Sequence, residues 1–208
     1  MGTEAVGDYW NHNTAYHPWL VGLAAKHRGD VLDVGSGDGL LAQRLAPVSK
    51  SVTGLEPDPA TADRAVGRLA DVDDVEISCT SFEDFDPGPR RFDLVTFVAS
   101  LHHMDLRTTL TRARDLLTPT GEIAVVGLSA NESAWDWVWS ACCMPLAALG
   151  DRLHGSTPDI GVVLADPRES LRMIRQTTAE VLPGAVIRRR LYYRYQLRWS
   201  SALASTRV

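Results

Sequence analysis

Val31-Leu32-Asp33-Val34-Gly35-Ser36-Gly37-Asp38-Gly39 decides how this chain is read. Four residues of an apolar run give way to glycine at every second position. Val31–Val34 reads as a buried strand and Leu40–Ala46 as the helix that follows, with the glycines in the turn between them. A glycine-rich strand-to-helix turn lets a ligand approach the backbone closely and sets it at the positive end of a helix.

The pattern around this turn predicts an α/β fold. Upstream, a helix is expected over about Thr14–His27, with Pro18 near its start and Gly29 stopping it. Downstream, strands at Ser51–Leu55, Val75–Cys79, Phe92–Val98 and Glu122–Leu128 alternate with helices at Pro59–Ala70 and Leu106–Leu117. Asp58 and Asp105 are the expected N-caps. That rhythm means βαβ units and a parallel sheet with helices on both faces. After Leu128 it breaks. A helix over about Glu132–Leu149, a loop, a helix over Pro167–Val181 and a final hairpin of Val186–Leu191 and Arg194–Trp199 are expected. Nothing in the chain marks a linker, so residues 1–208 read as one domain.

Composition narrows the function. The 208 residues are 45% hydrophobic and 23% charged, with a formal net charge of −5, which does not favour a nucleic-acid partner. The basic segment Arg188-Arg189-Arg190, with Arg194 and Arg198, reads as the solvated face of strands. No run suits a bilayer span, and the N-terminus lacks the basic-then-apolar pattern of a signal peptide. The three cysteines, Cys79, Cys142 and Cys143, make no disulfide framework, so the expected location is the cytoplasm. No Cys/His spacing suggests a metal site.

Three ligands compete for the glycine turn. A dinucleotide site needs G-x-G-x-x-G, but the residue three after Gly37 is Leu40. A P-loop needs a Gly-Lys-Ser/Thr ending, which is absent. The third is S-adenosylmethionine.

Residues 31–39 resemble the first motif of the class I S-adenosylmethionine-dependent methyltransferases. Further landmarks follow in that family's order: Val52-Thr53-Gly54-Leu55-Glu56, Ser81-Phe82-Glu83-Asp84, Phe92 through Ser100 with Leu101-His102-His103, and Leu116-Leu117-Thr118-Pro119-Thr120-Gly121-Glu122. The resemblance spans about residues 29–128. It implies a three-layer, doubly wound, mostly parallel seven-stranded sheet (the Rossmann-like methyltransferase fold) with an antiparallel last strand. It implies S-adenosyl-L-methionine as cofactor, S-adenosyl-L-homocysteine as product, and no metal.

The resemblance also assigns roles. Gly35, Ser36, Gly37 and Gly39 would pack against the methionine part, and Asp33 would accept from its ammonium or brace the loop. Glu56, followed by Pro57, would accept the ribose hydroxyls. Ser81, Phe82 and Glu83 would frame the adenine, with Phe82 packing on the ring. The Val98–Ser100 backbone, Val98 and Ala99 above all, would line the methionine end, and Tyr16 would reach the cofactor's carboxylate. The family often has Asp where Ser81 stands. His102 and His103 leave the fourth strand where a parallel sheet binds ligands; either would take a proton from the acceptor, or the pair would cap the loop. His12, His17, His103, Trp135 and Trp139 are the expected acceptor contacts. Trp135 and Trp139, four apart, equally fit a core stripe.

The implied function is methyl transfer to an oxygen or nitrogen of a small molecule. Residues 1–28 would form a cap over the cofactor and 129–165 a lid. A nucleic-acid or protein methyltransferase is the alternative, disfavoured by negative charge and by Phe97-Val98-Ala99-Ser100 where amino-group DNA enzymes have Asn/Asp-Pro-Pro-Tyr/Phe. A non-methylating S-adenosylmethionine-binding protein of the same fold is another.

Overall fold

The computed structural model of the chain describes residues 8–132, 143, 167–191 and 194–202. Seven strands form one sheet: β1 (Asp30–Val34), β2 (Ser51–Leu55), β3 (Val75–Ser78), β4 (Phe92–Val98), β5 (Leu117–Leu128), β6 (Val186–Arg189) and β7 (Arg194–Ser200). Their order is β3-β2-β1-β4-β5-β7-β6. The pairings from β3 through β5 are parallel, and β7 runs antiparallel to both β5 and β6. The expected mixed seven-stranded sheet is what forms. The reversal of order at β1 and β4 opens a crevice at their carboxyl ends, where such sheets bind ligands.

Five described helices cover the faces: α1 (His17–His27), α2 (Leu40–Leu45), α3 (Pro59–Arg68), α4 (Leu106–Asp115) and α5 (Leu171–Val181). Leu20, Leu23 and Ala24 of α1 and Leu41, Ala42 and Leu45 of α2 share one core with Val31, Leu94, Ala124 and Val126. Leu106, Leu110 and Ala113 of α4 and Leu171, Ile174 and Val181 of α5 share the other with Leu32, Val95, Phe97 and Val125. On α4 the buried residues are Leu106, Thr109, Leu110 and Ala113, the three-and-four spacing of a helix with one apolar stripe. Neighbouring residues of β1 and β4 feed opposite cores, as the two-residue strand period requires. Asp58 and Asp105 cap α3 and α4 by accepting from Thr61 and Thr108 N–H.

Several boundaries differ from the sequence reading. α1 ends at Arg28, which itself takes the left-handed conformation (φ 51°). Gly29 serves close approach instead: a Cβ there would fall 1.9 Å from Asp93 Oδ2. β5 starts at Leu117, ahead of the expected Glu122, and its pairing with β4 slips between Phe92 and Leu94. Pro119 has no N–H for a ladder, so it lies exposed in that irregular stretch. The helix expected from Pro167 begins at Leu171, where Ser170 accepts from Met173 N–H. Arg194 and Arg198 are not merely solvated: the first donates to Asn13, and the second forks onto both oxygens of Glu122 at 2.8 and 2.7 Å. Cys79 and Cys143 are free thiols. Of the helix expected over Glu132–Leu149, the described residues include Glu132, which is not helical, and Cys143, which is; the rest lies outside them. No described helix is long and apolar enough to cross a membrane.

Candidate functional site

The carboxyl ends of β1, β2 and β4 converge on the glycine turn. Gly35 and Ser36 N–H both donate to Leu55 O, tying the turn to the end of β2. Gly35, Gly37 and Gly39 all have positive φ, at 74°, 56° and 81°. A Cβ on Gly35 would meet Ser100 Cβ at 2.5 Å, and one on Gly39 would meet Leu69 and Ala65 at 2.9 and 3.2 Å. A Cβ on Gly37 would meet nothing within 4 Å. The outer glycines serve packing, then, and the middle one presents bare backbone to open space.

Glu56 bridges two segments. Its Oε2 accepts from Gly37 N–H and its Oε1 from Asp58 N–H, both at 3.0 Å. Each carboxylate oxygen keeps a second lone pair for another donor. Pro57 beside it is exposed.

Asp33 is 1% exposed at the end of β1. Thr96 Oγ1, on the adjacent strand, donates to its Oδ1 at 2.7 Å. Among the described residues, Asp33 Oδ2 and the buried Ser36 Oγ have no hydrogen-bond partner. Burial pushes the Asp33 carboxyl up to about 6; the Thr96 hydroxyl opposes this and the Glu56 charge adds to it. Buried polar atoms are normally satisfied. The residues around the turn therefore suit a ligand that brings a cationic donor, such as the ammonium of the implied cofactor.

The loop after β3 departs from its expected geometry. Ser81 Oγ donates to Asp84 Oδ2 at 2.7 Å and accepts from Asp84 N–H at 3.1 Å. The Glu83 side chain is exposed. Phe82 does not offer a ring to a ligand: it is 3% exposed and stands edge-on to Phe97, with ring centroids 5.7 Å apart. The Arg112 guanidinium lies 5.4 Å from its ring, and its Nε donates to Phe82 O. Phe85 N–H bonds back to Ser81 O, and this tight turn sends both phenylalanines into the core. Only the backbone at Phe82 remains to frame an adenine.

At the β4 exit, Ala99 takes a left-handed conformation (φ 53°) while its N–H donates to Val126 O at 2.8 Å. Such a conformation is sparsely populated for a residue with a Cβ and clusters at functional sites. Val98 packs against the core under α1. Ser100 Oγ donates to Val34 O, closing the strand exit against the turn. His102 and His103 follow in a short 3-10 turn, with ring centroids 4.1 Å apart; His103 is exposed and His102 half-buried.

The N-terminal segment is bound to the sheet's carboxyl edge at both ends. Tyr9 Oη donates to Asp38 Oδ1 of the glycine turn at 3.1 Å. Tyr16 Oη donates to Leu191 O, in the β6–β7 turn, at 2.7 Å. The opposition of Leu128 and Arg194 sets that turn at the carboxyl end of β5. The Tyr16 hydroxyl thus gives its proton to a protein carbonyl. His12 lies between the two anchors, edge-on to Trp10 at 5.5 Å. His17, an expected acceptor contact, is 5% exposed, and its Nδ1 lies 3.0 Å from Arg44 Nη1. Arginine can only donate, so this nitrogen accepts. Burial, then the Arg44 charge, hold His17 down to about 3, so it is neutral and structural. Trp135 and Trp139 lie outside the described residues.

Sequence reasoning missed Thr96 and Arg68. The only signal for Thr96 was a polar residue within the apolar β4 run. For Arg68, which pairs with Asp38 at 2.7 Å, there was none.

Comparison with known proteins bears on the family and the fold. A family profile described as a methyltransferase domain matches residues 32–123. Uncharacterized methyltransferases of Mycobacterium bovis and Mycobacterium tuberculosis are each 35% identical over 195 residues, 91% of this chain and 96% of theirs. A ubiquinone biosynthesis O-methyltransferase of Bradyrhizobium diazoefficiens is 35% identical over 105 residues, 49% of this chain and 40% of that protein. Among solved structures, the N-methyltransferase NodS of Bradyrhizobium japonicum WM9, in complex with S-adenosyl-L-homocysteine, aligns with a TM-score of 0.61 at 19% identity. That alignment covers 95% of this chain and 94% of NodS, a likeness of fold.

Proposed function

The chain belongs to the class I S-adenosylmethionine-dependent methyltransferases, and from that premise we propose that it moves a methyl group to an oxygen or nitrogen atom of a small molecule. When bound, the cofactor would supply a sulfonium methyl for in-line attack by an acceptor lone pair, the carbon–sulfur bond breaking as the new bond forms and S-adenosyl-L-homocysteine leaving. The protein's work in such a transfer is alignment and exclusion of water.

The residues divide this work as follows. Asp33 Oδ2 would accept from the cofactor's ammonium, and Glu56, which braces Gly37, would accept the ribose hydroxyls. Gly37 presents its backbone to the methionine part, with Ser36 Oγ, Val98 and Ala99 beside it. The backbone at Ser81, Phe82 and Glu83 frames the adenine. His103, with His102 behind it, takes the proton from an acceptor hydroxyl or amine.

The observation that carries the small-molecule reading is the N-terminal segment tied across the carboxyl edge. From β1 to β7 the sheet order takes three interstrand steps, about 14 Å. Residues 9–16 bridge that distance between their bonds to Asp38 and Leu191. A site strapped in this way suits an acceptor that enters whole, not a segment of a polymer. The relatives include one named for O-transfer and a fold neighbour named for N-transfer, and a lone-pair acceptor of either kind fits the same chemistry.

The test is release of S-adenosyl-L-homocysteine across a panel of small phenols, carboxylic acids and amines, with RNA and unfolded protein as comparison acceptors. Turnover with a small acceptor is expected; turnover confined to the polymers overturns the reading. In parallel, Glu56→Ala should weaken S-adenosylmethionine binding at least tenfold by calorimetry, from the loss of bonds to a charged acceptor. Unchanged affinity removes Glu56 from the site.

A further inference from the structure

We propose that Arg68 and Tyr9 are positioning residues for the glycine turn, and that Asp38 couples the shape of the cofactor cradle to the seating of the N-terminal strap. This rests on the reading of residues 35–39 as that cradle.

Asp38 sits between two glycines that both hold positive φ. A residue flanked in this way has little local preference to hold it in place. Beside a long local bond from Leu40 N–H at 3.4 Å, its partners come from elsewhere in the chain. Arg68 Nε donates to Asp38 O at 2.9 Å and Arg68 Nη2 to Asp38 Oδ2 at 2.7 Å. One guanidinium thus grips both the backbone and the side chain of the residue between Gly37 and Gly39. The two side chains are only 8% and 9% exposed. A buried ion pair is a weak source of net stability, because desolvation offsets the attraction, and its best-attested use is to specify geometry.

The remaining carboxylate oxygen faces the strap. Asp38 Oδ1 accepts from Tyr9 Oη at 3.1 Å and from Leu40 N–H at 3.4 Å. The Arg68 guanidinium lies 5.9 Å from the Tyr9 ring centroid, a cation–π contact. Burial, then the Asp38 charge, push the Tyr9 phenol well above its ordinary range, so it stays a donor. One residue earlier in the turn, Glu56 holds Gly37 N–H. The turn is thus clamped at two successive residues, Gly37 by the acid that follows β2 and Asp38 by α3's arginine. The second clamp is also touched by the strap, through Tyr9. A ligand that shifts Gly37 shifts Asp38, and with it the anchor of Tyr9.

The test uses the full chain and S-adenosyl-L-homocysteine. Wild type, Arg68→Lys, Arg68→Gln, Tyr9→Phe and Gly37→Val are compared by calorimetry, by amide NMR and by hydrogen exchange over residues 8–16. Arg68→Lys keeps the charge but cannot make both bonds of the fork; its Kd should rise about tenfold, the loss of one charge-assisted bond. Arg68→Gln should lose more. Tyr9→Phe should raise Kd at least threefold. Amide resonances of Gly37 and Gly39 should move in the Arg68 and Tyr9 variants while those of Gly121 and Gly127 stay, a pattern that general destabilisation does not produce. Ligand should slow exchange of residues 8–16 in wild type and not in Tyr9→Phe. Should Arg68→Gln fail to fold, Arg68→Lys carries the test. Wild-type affinity and unmoved Gly37 and Gly39 resonances in Arg68→Lys overturn the positioning role, and ligand protection of the strap that persists in Tyr9→Phe overturns the coupling. If Gly37→Val binds as wild type does, the cradle reading itself fails, separately from this proposal.

Discussion

Replacing Asp33 with asparagine tests the logic of the site through its electrostatics. The carboxyl is 1% exposed, and burial raises it from its ordinary 3.8 to about 6. At about 1.4 kcal/mol per pH unit, that rise makes the ionised form cost about 3 kcal/mol of folding stability at neutral pH. Between about pH 4 and 6 the folded protein binds this proton more tightly than the unfolded chain does. Stability therefore falls as pH rises through that window, and the full cost stands above it. Asparagine keeps an oxygen for the Thr96 hydroxyl but cannot ionise, so the variant lacks this pH dependence. It places an amide where Oδ2 stood, and leaving that donor unsatisfied costs about 1–3 kcal/mol at every pH. The pH-dependent difference is free of that offset. Urea unfolding of both proteins from about pH 3 to 7.5 should show wild type losing about 3 kcal/mol relative to Asp33→Asn across the window. Calorimetry at pH 7.5 should show the reverse preference for S-adenosylmethionine, with the variant binding at least tenfold more weakly for want of a charged acceptor. A stability difference that stays flat with pH refutes the account of Asp33 as a buried carboxylate held for a cationic partner.

Three further outcomes are expected. Gly37→Val meets no clash, since a Cβ there points into open space; it should lose about 1–2 kcal/mol to its left-handed backbone, still unfold cooperatively, and no longer bind S-adenosyl-L-homocysteine. Phe82→Ala should cost about 3–5 kcal/mol in urea unfolding as a core truncation, with cofactor affinity of the folded protein within about threefold; a tenfold loss of affinity with little loss of stability would restore the ring to the adenine. Once an acceptor is in hand, His103→Ala should lower kcat on the order of 10²-fold at neutral pH, and a loss under threefold would leave His103 a loop residue.

Much of the fold was legible locally. The alternation of apolar strands with capped helices gave their order, since strand period and N-cap chemistry act over a few residues. Boundaries slipped where a local signal had two uses. Gly29 suits a helix stop, but the structure uses it to admit Asp93. Pro119 suits a strand break, but β5 runs through it with a register slip. The site was half legible for the same reason. Phe82 in a polar loop reads equally as a platform or as core, and the turn that buries it with Phe85 depends on the space beneath β4.

The sequence by itself determined the cradle: a strand, three alternating glycines and a helix, with an acid ending the next strand, are dictated by short-range conformational preference. Only the tertiary structure decided what holds that cradle and what covers it. Asp33 meets Thr96 across 63 residues, Asp38 meets Arg68 across 30, and Tyr16 meets Leu191 across 175. Each of those bonds depends on which strands lie side by side and which way a loop side chain turns. Both follow from how the layers pack, and residue spacing along the chain carries no record of it.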